Sequence, residues 1–258
     1  MRLLLVLSLF LSFSQLAFAD SLVIVGDDNA KPKNWMNTDG KPAGIMIDLL
    51  DEVSARTGIT FDYQLMPWKR ALKLSSLGQG SIIGFSKTSE REKTWHYSVP
   101  MYFDELVFVT TKDKWFQFDG LSSLNGRSVA IKLGATYGDD FEQARRDKVL
   151  RVVETTDRKG QLQMLMFGRV DTVLMSPGRV ALESTLAENK FLMEHRNDYI
   201  ILEKPFKLDP NFLGMPKSLG KTSLLAKINK ALEEIRSEPL YEKIVERNIE
   251  KVLAALEE

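Results

Sequence analysis

Hydrophobic positions along the chain follow two periods, and the pattern predicts short strands that alternate with amphipathic helices. Leu22 to Gly26 is a short apolar run, typical of a buried parallel strand. Ile45 to Thr57 has apolar side chains at helical spacing, and Gly58 follows it as a helix-ending residue. Further strands are predicted at 59–65, 81–85, 105–111, 128–133, 149–154, 170–175, 199–202 and 211–215. Further helices are predicted at 68–77, 137–146, 159–167, 178–187, 224–236 and 240–256.

Strand–helix alternation of this kind favours an α/β fold with mostly parallel sheets flanked by helices. The alternation starts again near Glu105, and 258 residues are enough for two small domains. Ligands of such sheets bind beyond the carboxyl ends of the strands. We therefore expect two facing lobes with a ligand in the cleft between them, and a hinge that closes around it.

The N-terminus has the three parts of a secretory signal peptide. Arg2 supplies a positive charge, residues 3–13 are almost wholly apolar, and Ala17-Phe18-Ala19 forms a small-x-small cleavage site. The apolar run is too short for a transmembrane helix, which needs about 20 apolar residues. A signal peptide over residues 1–19, cleaved after Ala19, is therefore predicted.

Composition narrows the compartment and the partners. The chain has no cysteine, so a lipoprotein anchor and disulfide bonds are both excluded. An exported protein without an anchor is expected in the periplasm of a two-membrane bacterium, without stable membrane insertion. Basic and acidic residues balance at 35 each, and no basic stripe is present, so a nucleic-acid partner is not expected.

Motifs for cofactors or catalysis are missing from the sequence. His96 and His195 lie far apart, without the spacing of metal ligands, and there is no Gly-x-Ser-x-Gly nucleophile motif. Gly214 and Gly220 are separated by five residues, whereas a phosphate-binding loop needs four. The sequence therefore predicts no metal, no cofactor and no catalytic residue.

Several segments resemble the family 3 solute-binding proteins, which are periplasmic receptors typified by those of polar amino-acid ABC importers. In chain order they are Asp39-Gly40-Lys41 to Gly44, Pro67-Trp68-Lys69-Arg70-Ala71-Leu72, Gly84-Phe85-Ser86-Lys87-Thr88-Ser89-Glu90-Arg91, Tyr97-Ser98-Val99-Pro100-Met101-Tyr102, Leu124-Asn125-Gly126-Arg127-Ser128-Val129-Ala130, Gly134-Ala135-Thr136-Tyr137, Gly168-Arg169-Val170-Asp171 and Leu225 to Tyr241. Their order and spacing together are specific. The resemblance covers essentially the whole mature chain.

The resemblance implies a two-lobed periplasmic-binding-protein fold of type II, in which the second lobe is inserted into the first. Residues 20–107 and 206–258 would form lobe 1, and residues 108–205 would form lobe 2. The chain would cross between lobes near Val107 and Pro205, and the strands at 105–111 and 199–202 would form the hinge. The implied protein is a monomer whose partners are a small-molecule ligand and the permease of an ABC importer.

The resemblance also implies which residues bind the ligand. Arg91 would hold the ligand carboxylate, since a guanidinium matches a carboxylate with two parallel hydrogen bonds. The other expected ligand-binding residues are Ser86 and the Gly84 carbonyl at the polar head, Trp68 as an aromatic wall, Thr136 and Gly134 in a second-lobe loop that donates backbone N–H groups, and Asp28 at a strand end.

Two departures from the family pattern bear on the ligand. Ser176 stands where amino-acid receptors have an aspartate that holds the ligand ammonium, and a hydroxyl cannot neutralise a buried ammonium. The first loop carries Lys31-Pro32-Lys33-Asn34-Trp35 in place of an aromatic residue and a Pro-Pro pair, and Trp35 could substitute for that aromatic. These changes leave open whether the carboxylate-bearing ligand has an α-amino group.

Three functions remain open on the sequence alone. The favoured one is a binding protein for an importer, without chemistry of its own. The second is a periplasmic enzyme similar to cyclohexadienyl dehydratases, which would need a carboxylate in the cleft for proton transfer. Glu183 and Asp171 are candidates for that carboxylate only because they lie in the second lobe. The third is a sensory role, in which the liganded protein docks on a membrane receptor.

Overall fold

The computed structural model describes residues 20–254, so the predicted signal peptide and the last residues of the final predicted helix lie outside the described residues. The strands are β1 (Ser21–Asp27), β2 (Asn29–Ala30), β3 (Asn34–Met36), β4 (Pro42–Ala43), β5 (Thr60–Met66), β6 (Ser81–Ser86), β7 (Trp95–Tyr97), β8 (Tyr102–Thr111), β9 (Ser128–Lys132), β10 (Arg151–Thr155), β11 (Thr172–Met175), β12 (Tyr199–Ile201) and β13 (Lys207–Pro216). The α-helices are α1 (Ile45–Thr57), α2 (Trp68–Ser76), α3 (Ser89–Glu92), α4 (Asp139–Arg146), α5 (Arg158–Met166), α6 (Gly178–Ala187), α7 (Lys190–Glu194), α8 (Thr222–Arg236) and α9 (Pro239–Ala254). No helix within residues 20–254 is both long enough and apolar enough to cross a bilayer.

One curled sheet runs through the molecule in the order β10-β9-β11-β8-β13-β6-β1-β5. At one end β6, β1 and β5 are parallel, and at the other end β10, β9 and β11 are parallel. Between them, β8 and β13 run antiparallel to each other and to their outer neighbours. The predicted α/β class with mostly parallel sheets is thereby confirmed.

The long strands β8 and β13 connect the two parallel parts of the sheet. The first half of β8, as far as Leu106, pairs with β13, whereas Val107 and the residues after it pair with β11 and β12. The second half of β13 pairs with β6 and β7. We call β1, β5, β6 and β7 with α1–α3, α8 and α9 the first lobe, and β9–β12 with α4–α7 the second lobe. The boundaries at 107/108 and 205/206 stay predictions.

Each lobe has its own hydrophobic core. In the first lobe, Leu50 of α1 and Ile228 of α8 are fully buried in a cluster against one face of the sheet. In the second lobe, Ile131 and Phe141 belong to one cluster, and Leu165 with Val173 belongs to another. Since burial of apolar surface is the main stabilising term in folding, each lobe has the core that a separate packing unit requires.

Glycines near their ends explain where two of the helices end or begin. Gly58 takes a left-handed conformation with φ of 73°, and its N–H donates to the Ser54 carbonyl, so α1 ends where the sequence predicts. The predicted helix at 137–146 begins later, at Asp139, because Gly138 has φ of 96°, which is not helical. The short strands β2–β4 lie between the first predicted strand and the first predicted helix, where the sequence predicts no strand.

Candidate ligand-binding cleft

The carboxyl ends of parallel strands from both lobes meet at one cleft. Asp27 is the last residue of β1, and Ser86 is the last residue of β6, both in the first lobe. Lys132 ends β9 and Ser176 directly follows β11, both in the second lobe. All four line the same cleft, at the place where ligands of α/β sheets bind.

The cleft contains most of the residues that the sequence resemblance singled out. Those among its lining residues are Trp68, Gly84, Ser86, Arg91, Thr136 and Ser176. Gly134 borders the cleft, and its carbonyl accepts hydrogen bonds from the Trp68 indole (3.1 Å) and from Arg91 (3.4 Å).

Asp28 and Trp35 lie elsewhere. Asp28 lines a neighbouring pocket between the lobes, and it is the preceding residue, Asp27, that lines the main cleft. Trp35 is 8% exposed within β3, where it pairs with Asn29 and Ala43. The predicted substitution of Trp35 for a cleft aromatic thus has no support in this geometry, because it packs beside the cleft-lining loop rather than into the cleft.

Arg91 is fixed at the first-lobe wall by its local sequence. The Thr88 hydroxyl caps α3 by accepting the Arg91 backbone N–H at 3.2 Å. The guanidinium lies over the Phe85 ring, 4.2 Å from its centroid, and donates to the Ser86 carbonyl at 2.9 Å. The side chain is thereby held in one orientation in the cleft.

The Arg91 guanidinium is a buried cation without an acidic partner. The residue is 9% exposed, and no carboxylate of residues 20–254 lies within 4.0 Å of its guanidinium. Burial lowers the pKa of Arg91 to about 10, so the group is still protonated at neutral pH. A buried charge without a counterion is costly, and an anion in the cleft would offset that cost.

Asp209 is a buried acid in the first-lobe wall that the sequence did not reveal. Its carboxylate accepts a hydrogen bond from the Ser86 hydroxyl at 2.6 Å, and the residue is 5% exposed. Burial raises the pKa of Asp209, the Ser86 hydrogen bond opposes this, and the charge of Asp104 raises the pKa further. Asp209 reaches the cleft because β13 lies beside β6.

Ser176 has an acid next to it, although the acid is not in its own segment. The Ser176 hydroxyl donates to the Asp104 carboxylate, which also pairs with Lys33. Lys33 in turn donates to the Asn211 side chain at 3.0 Å. Asp104 is 1% exposed, so its charge is already neutralised inside the protein by Lys33. The other Asp104 carboxylate oxygen has no partner among the described residues.

Two further cations line the second-lobe wall. Lys132 pairs across the cleft with Asp27, and burial lowers the pKa of Lys132 while the Asp27 charge opposes that shift. Arg158, the first residue of α5, donates to the Ser176 carbonyl at 2.5 Å. Within the described chain, no carboxylate lies within 4.0 Å of the Arg158 guanidinium. Positive charge is therefore in excess at this wall.

The second-lobe loop differs in detail from the expectation. The Thr136 hydroxyl donates to Glu142 at 2.7 Å, and the Gly134 N–H points to Glu154 at 3.4 Å. Because α4 begins at Asp139, Thr136 lies before the helix rather than at its N-terminus. Tyr137 is buried and lines the cleft instead of starting the helix.

The lining residues that sequence reasoning missed are Asp27, Ala30, Lys33, Asn34, Ile83, Lys132, Ala135, Tyr137, Arg158, Gln161, Leu174 and Asp209. Asp27 and Lys132 could have been found, since Asp27 directly follows the strand predicted at 22–26 and Lys132 is the next-to-last residue of the strand predicted at 128–133. Asp209 gave no local signal, because it pairs with Asp104 of β8 and reaches Ser86 only through the neighbouring pairing of β13 with β6.

The two carboxylates considered for proton transfer do not line the cleft. Asp171 accepts two hydrogen bonds from Ser128 at the amino ends of β9 and β11, the opposite end of those strands from the cleft. Glu183 lies 3.7 Å from Arg179 and 3.5 Å from Arg196. Neither is positioned for chemistry on a cleft ligand.

Two α/β lobes that present strand ends to a shared cleft define a ligand-binding protein of the periplasmic-binding-protein type. The chain belongs to the bacterial extracellular solute-binding proteins, family 3, whose family model matches residues 22–251. The family expected from the sequence segments is thereby confirmed.

Relatives with curated names are amino-acid-binding proteins. The probable amino-acid-binding protein YxeM of Bacillus subtilis is 23% identical, over 88% of this chain and 84% of its own. The lysine/arginine/ornithine-binding periplasmic protein of Escherichia coli is 24% identical, over 91% of this chain and 89% of its own. An ancestral arginine-binding protein solved with arginine superposes with a TM-score of 0.70 at 25% identity, over 88% of this chain and 97% of its own.

Proposed function

We propose that the protein captures a small ligand with a carboxylate group in the cleft between its lobes and delivers it to an ABC importer. In this proposal the protein is a periplasmic monomer, exported by a signal peptide that is cleaved after Ala19, and it performs no chemistry. Its relatives are named as binding proteins, which supports this proposal over an enzymatic one. The proposed lobes comprise residues 20–107 with 206–258, and residues 108–205.

The observation that carries the proposal is the unpaired charge of Arg91. A guanidinium that is 9% exposed, stacked on Phe85 and hydrogen-bonded only to backbone carbonyls, is preorganised for an anion. Arg91 also contacts Gly134 of the second lobe, so an anion bound here would lie where the two lobes meet. A carboxylate is the planar anion that matches the two parallel N–H groups of guanidinium.

The proposal is tested by thermal-shift and calorimetric titration of the mature protein with a panel of amino acids, organic acids and amines. A bound ligand should raise the melting temperature with increasing concentration. We expect Arg91→Gln to weaken binding by about 2–5 kcal/mol, because it removes one partner of a buried charge pair. Arg91→Lys should lose less, since it keeps the charge but not the two-pronged geometry.

Arg151→Gln is the matched control. Arg151 is an exposed arginine at the start of the edge strand β10, at the amino end of a strand whose carboxyl end faces the cleft. Its replacement should leave affinity unchanged. If no carboxylate raises the melting temperature, or if Arg91→Gln binds as tightly as the unmodified protein, the proposed site is wrong.

A further inference from the structure

Charge pairing within the cleft leaves two cations without acidic partners. Lys33 is paired with Asp104, and Lys132 is paired with Asp27. Arg91 and Arg158 remain, each bonded only to backbone carbonyls within the part of the chain that the structure describes. Asp209 is the remaining acid of the cleft wall, and its hydrogen-bond donor is the neutral hydroxyl of Ser86.

The two unpaired guanidiniums belong to opposite lobes. Arg91 lies on α3 of the first lobe, and Arg158 is the first residue of α5 of the second lobe. Both line the cleft, together with the buried Tyr137. Burial chiefly raises the pKa of Tyr137, and the charge of Arg158 partly opposes that shift. A ligand between the lobes therefore meets one guanidinium on each side.

The geometry points to a ligand with two anionic groups, a dicarboxylate in its simplest form, whose first carboxylate is held by Arg91 and whose second is held by Arg158. This inference rests on the proposed function, because it takes the same cleft and the same Arg91 contact as its starting point. It adds the charge of the ligand and a second binding residue that nothing in the family resemblance singled out.

The local contacts of Arg158 leave it able to bind a second anion. Only one of its N–H groups is used by the Ser176 carbonyl, so the remaining donors are free for a carboxylate. Burial lowers the pKa of Lys132 most and the Asp27 charge opposes that shift, but Lys132 lies close enough to Arg158 for the Arg158 charge to lower its pKa further. An anion between these two cations would relieve their repulsion.

An amino group on the ligand is a separate question from the second anionic group. Asp209 could accept from an ammonium, and the buried Asn34 side-chain oxygen has no partner among residues 20–254. Both an acidic amino acid and a dicarboxylic acid without an amine satisfy the two-anion requirement. The test therefore includes both kinds of dicarboxylate.

The test compares isosteric pairs that differ only in the second anionic group, by isothermal titration calorimetry on the mature protein. Glutarate is compared with glutaramate, glutamate with glutamine, and succinate and aspartate with their monoamides. We expect each preferred dicarboxylate to bind at least tenfold more tightly than its monoamide. In Arg158→Gln this preference should fall to less than about threefold, while the affinity for the monoamide changes little.

Arg158→Gln keeps an N–H donor for the Ser176 carbonyl, so the fold of the loop after β11 should survive, and circular dichroism checks this. Arg151→Gln, on the same lobe but far from the cleft, should keep the full preference for dicarboxylates. If monocarboxylates bind through Arg91 and dicarboxylates bind no better, the two-anion inference is wrong and the proposed function stands.

The remaining outcomes are equally decisive. If the unmodified protein prefers dicarboxylates and Arg158→Gln keeps that preference, the assignment to Arg158 is wrong. If none of these ligands binds, this inference is wrong, and the proposed function fails as well only if no carboxylate of the wider panel binds. If only the glutarate pair or only the glutamate pair shows the preference for the dicarboxylate, the inference is supported, and the result shows whether the ligand carries an amine.

Discussion

At the scale of single residues, the position of Arg91 depends on a glycine far away in the sequence. Gly214 lies in β13, at a register shift opposite β6. A Cβ atom there would lie 2.5 Å from the Phe85 ring, a distance that real Cβ contacts essentially never show. Phe85 can therefore occupy its place beneath the Arg91 guanidinium only because position 214 has no side chain.

We expect Gly214→Ala to destabilise the protein by about 1–3 kcal/mol, the usual cost of overpacking a well-packed core. It should also weaken ligand binding, because the displaced Phe85 ring can no longer support Arg91. Urea unfolding and calorimetric titration measure the two effects. Gly120→Ala is the control, since no heavy atom lies within 4 Å of its Cβ position. An alanine at 214 without effect on either quantity would show that the Phe85 ring is free to move.

At the scale of secondary-structure elements, one aspartate holds the starts of two parallel strands together. Asp171 precedes β11 and accepts hydrogen bonds from the backbone N–H (2.7 Å) and hydroxyl (2.6 Å) of Ser128, the first residue of β9. Burial alone would raise the pKa of Asp171, but these two hydrogen bonds outweigh it and hold the pKa below its ordinary value.

We expect Asp171→Asn to lower the free energy of unfolding by about 1 kcal/mol at pH 7, a value discounted for the partial exposure of the carboxylate. Because the folded-state pKa lies below the unfolded value, the stabilisation is present above about pH 4 and is lost as the pH falls through the folded-state pKa. Urea melts at pH 7 and at pH 2–3 should therefore show a difference that disappears in acid. Asp39→Asn, in an exposed turn, should show none at either pH. A difference that is equal at both pH values would mean that the charge of Asp171 is not involved.

The elements also show what the sequence could predict and what it could not. The helices and the parallel strands depend on local periodicity, and Ile45–Thr57 was predicted to the residue. The antiparallel strands β8 and β13 begin earlier than predicted. Their added residues, such as Tyr102 of β8 and Lys207 of β13, are paired with the other of these two strands, which is distant in sequence, so no local pattern predicts them. The cleft shows the same contrast between local and long-range signals. Arg91 lies in a recognisable local motif, whereas Asp209 enters the cleft through long-range strand pairing.

At the scale of the whole molecule, the two lobes are joined across the cleft by direct hydrogen bonds. The Ser89 hydroxyl and backbone N–H both donate to Asp139 at the start of α4, at 2.5 Å and 3.1 Å. The Trp68 indole donates to the Gly134 carbonyl. These bonds link the lobes directly, so the described structure is a closed arrangement, and we expect their strength to contribute to how often the lobes close.

We expect Asp139→Ala to weaken ligand binding about 3–10-fold without changing the cleft itself, because the apparent dissociation constant rises as the closed fraction of the empty protein falls. Asp139 is exposed and lies outside the set of cleft-lining residues, so its loss should act only through lobe closure. Small-angle X-ray scattering should show a larger radius of gyration for the empty variant than for the empty unmodified protein, and equal radii once ligand is saturating. Asp113→Ala is the control, since Asp113 follows the end of β8 that pairs with the amino end of β11, away from the cleft. If Asp139→Ala changes neither the radius nor the affinity, closure of the lobes depends on the ligand alone, and the bonds across the cleft mouth form only after it has bound.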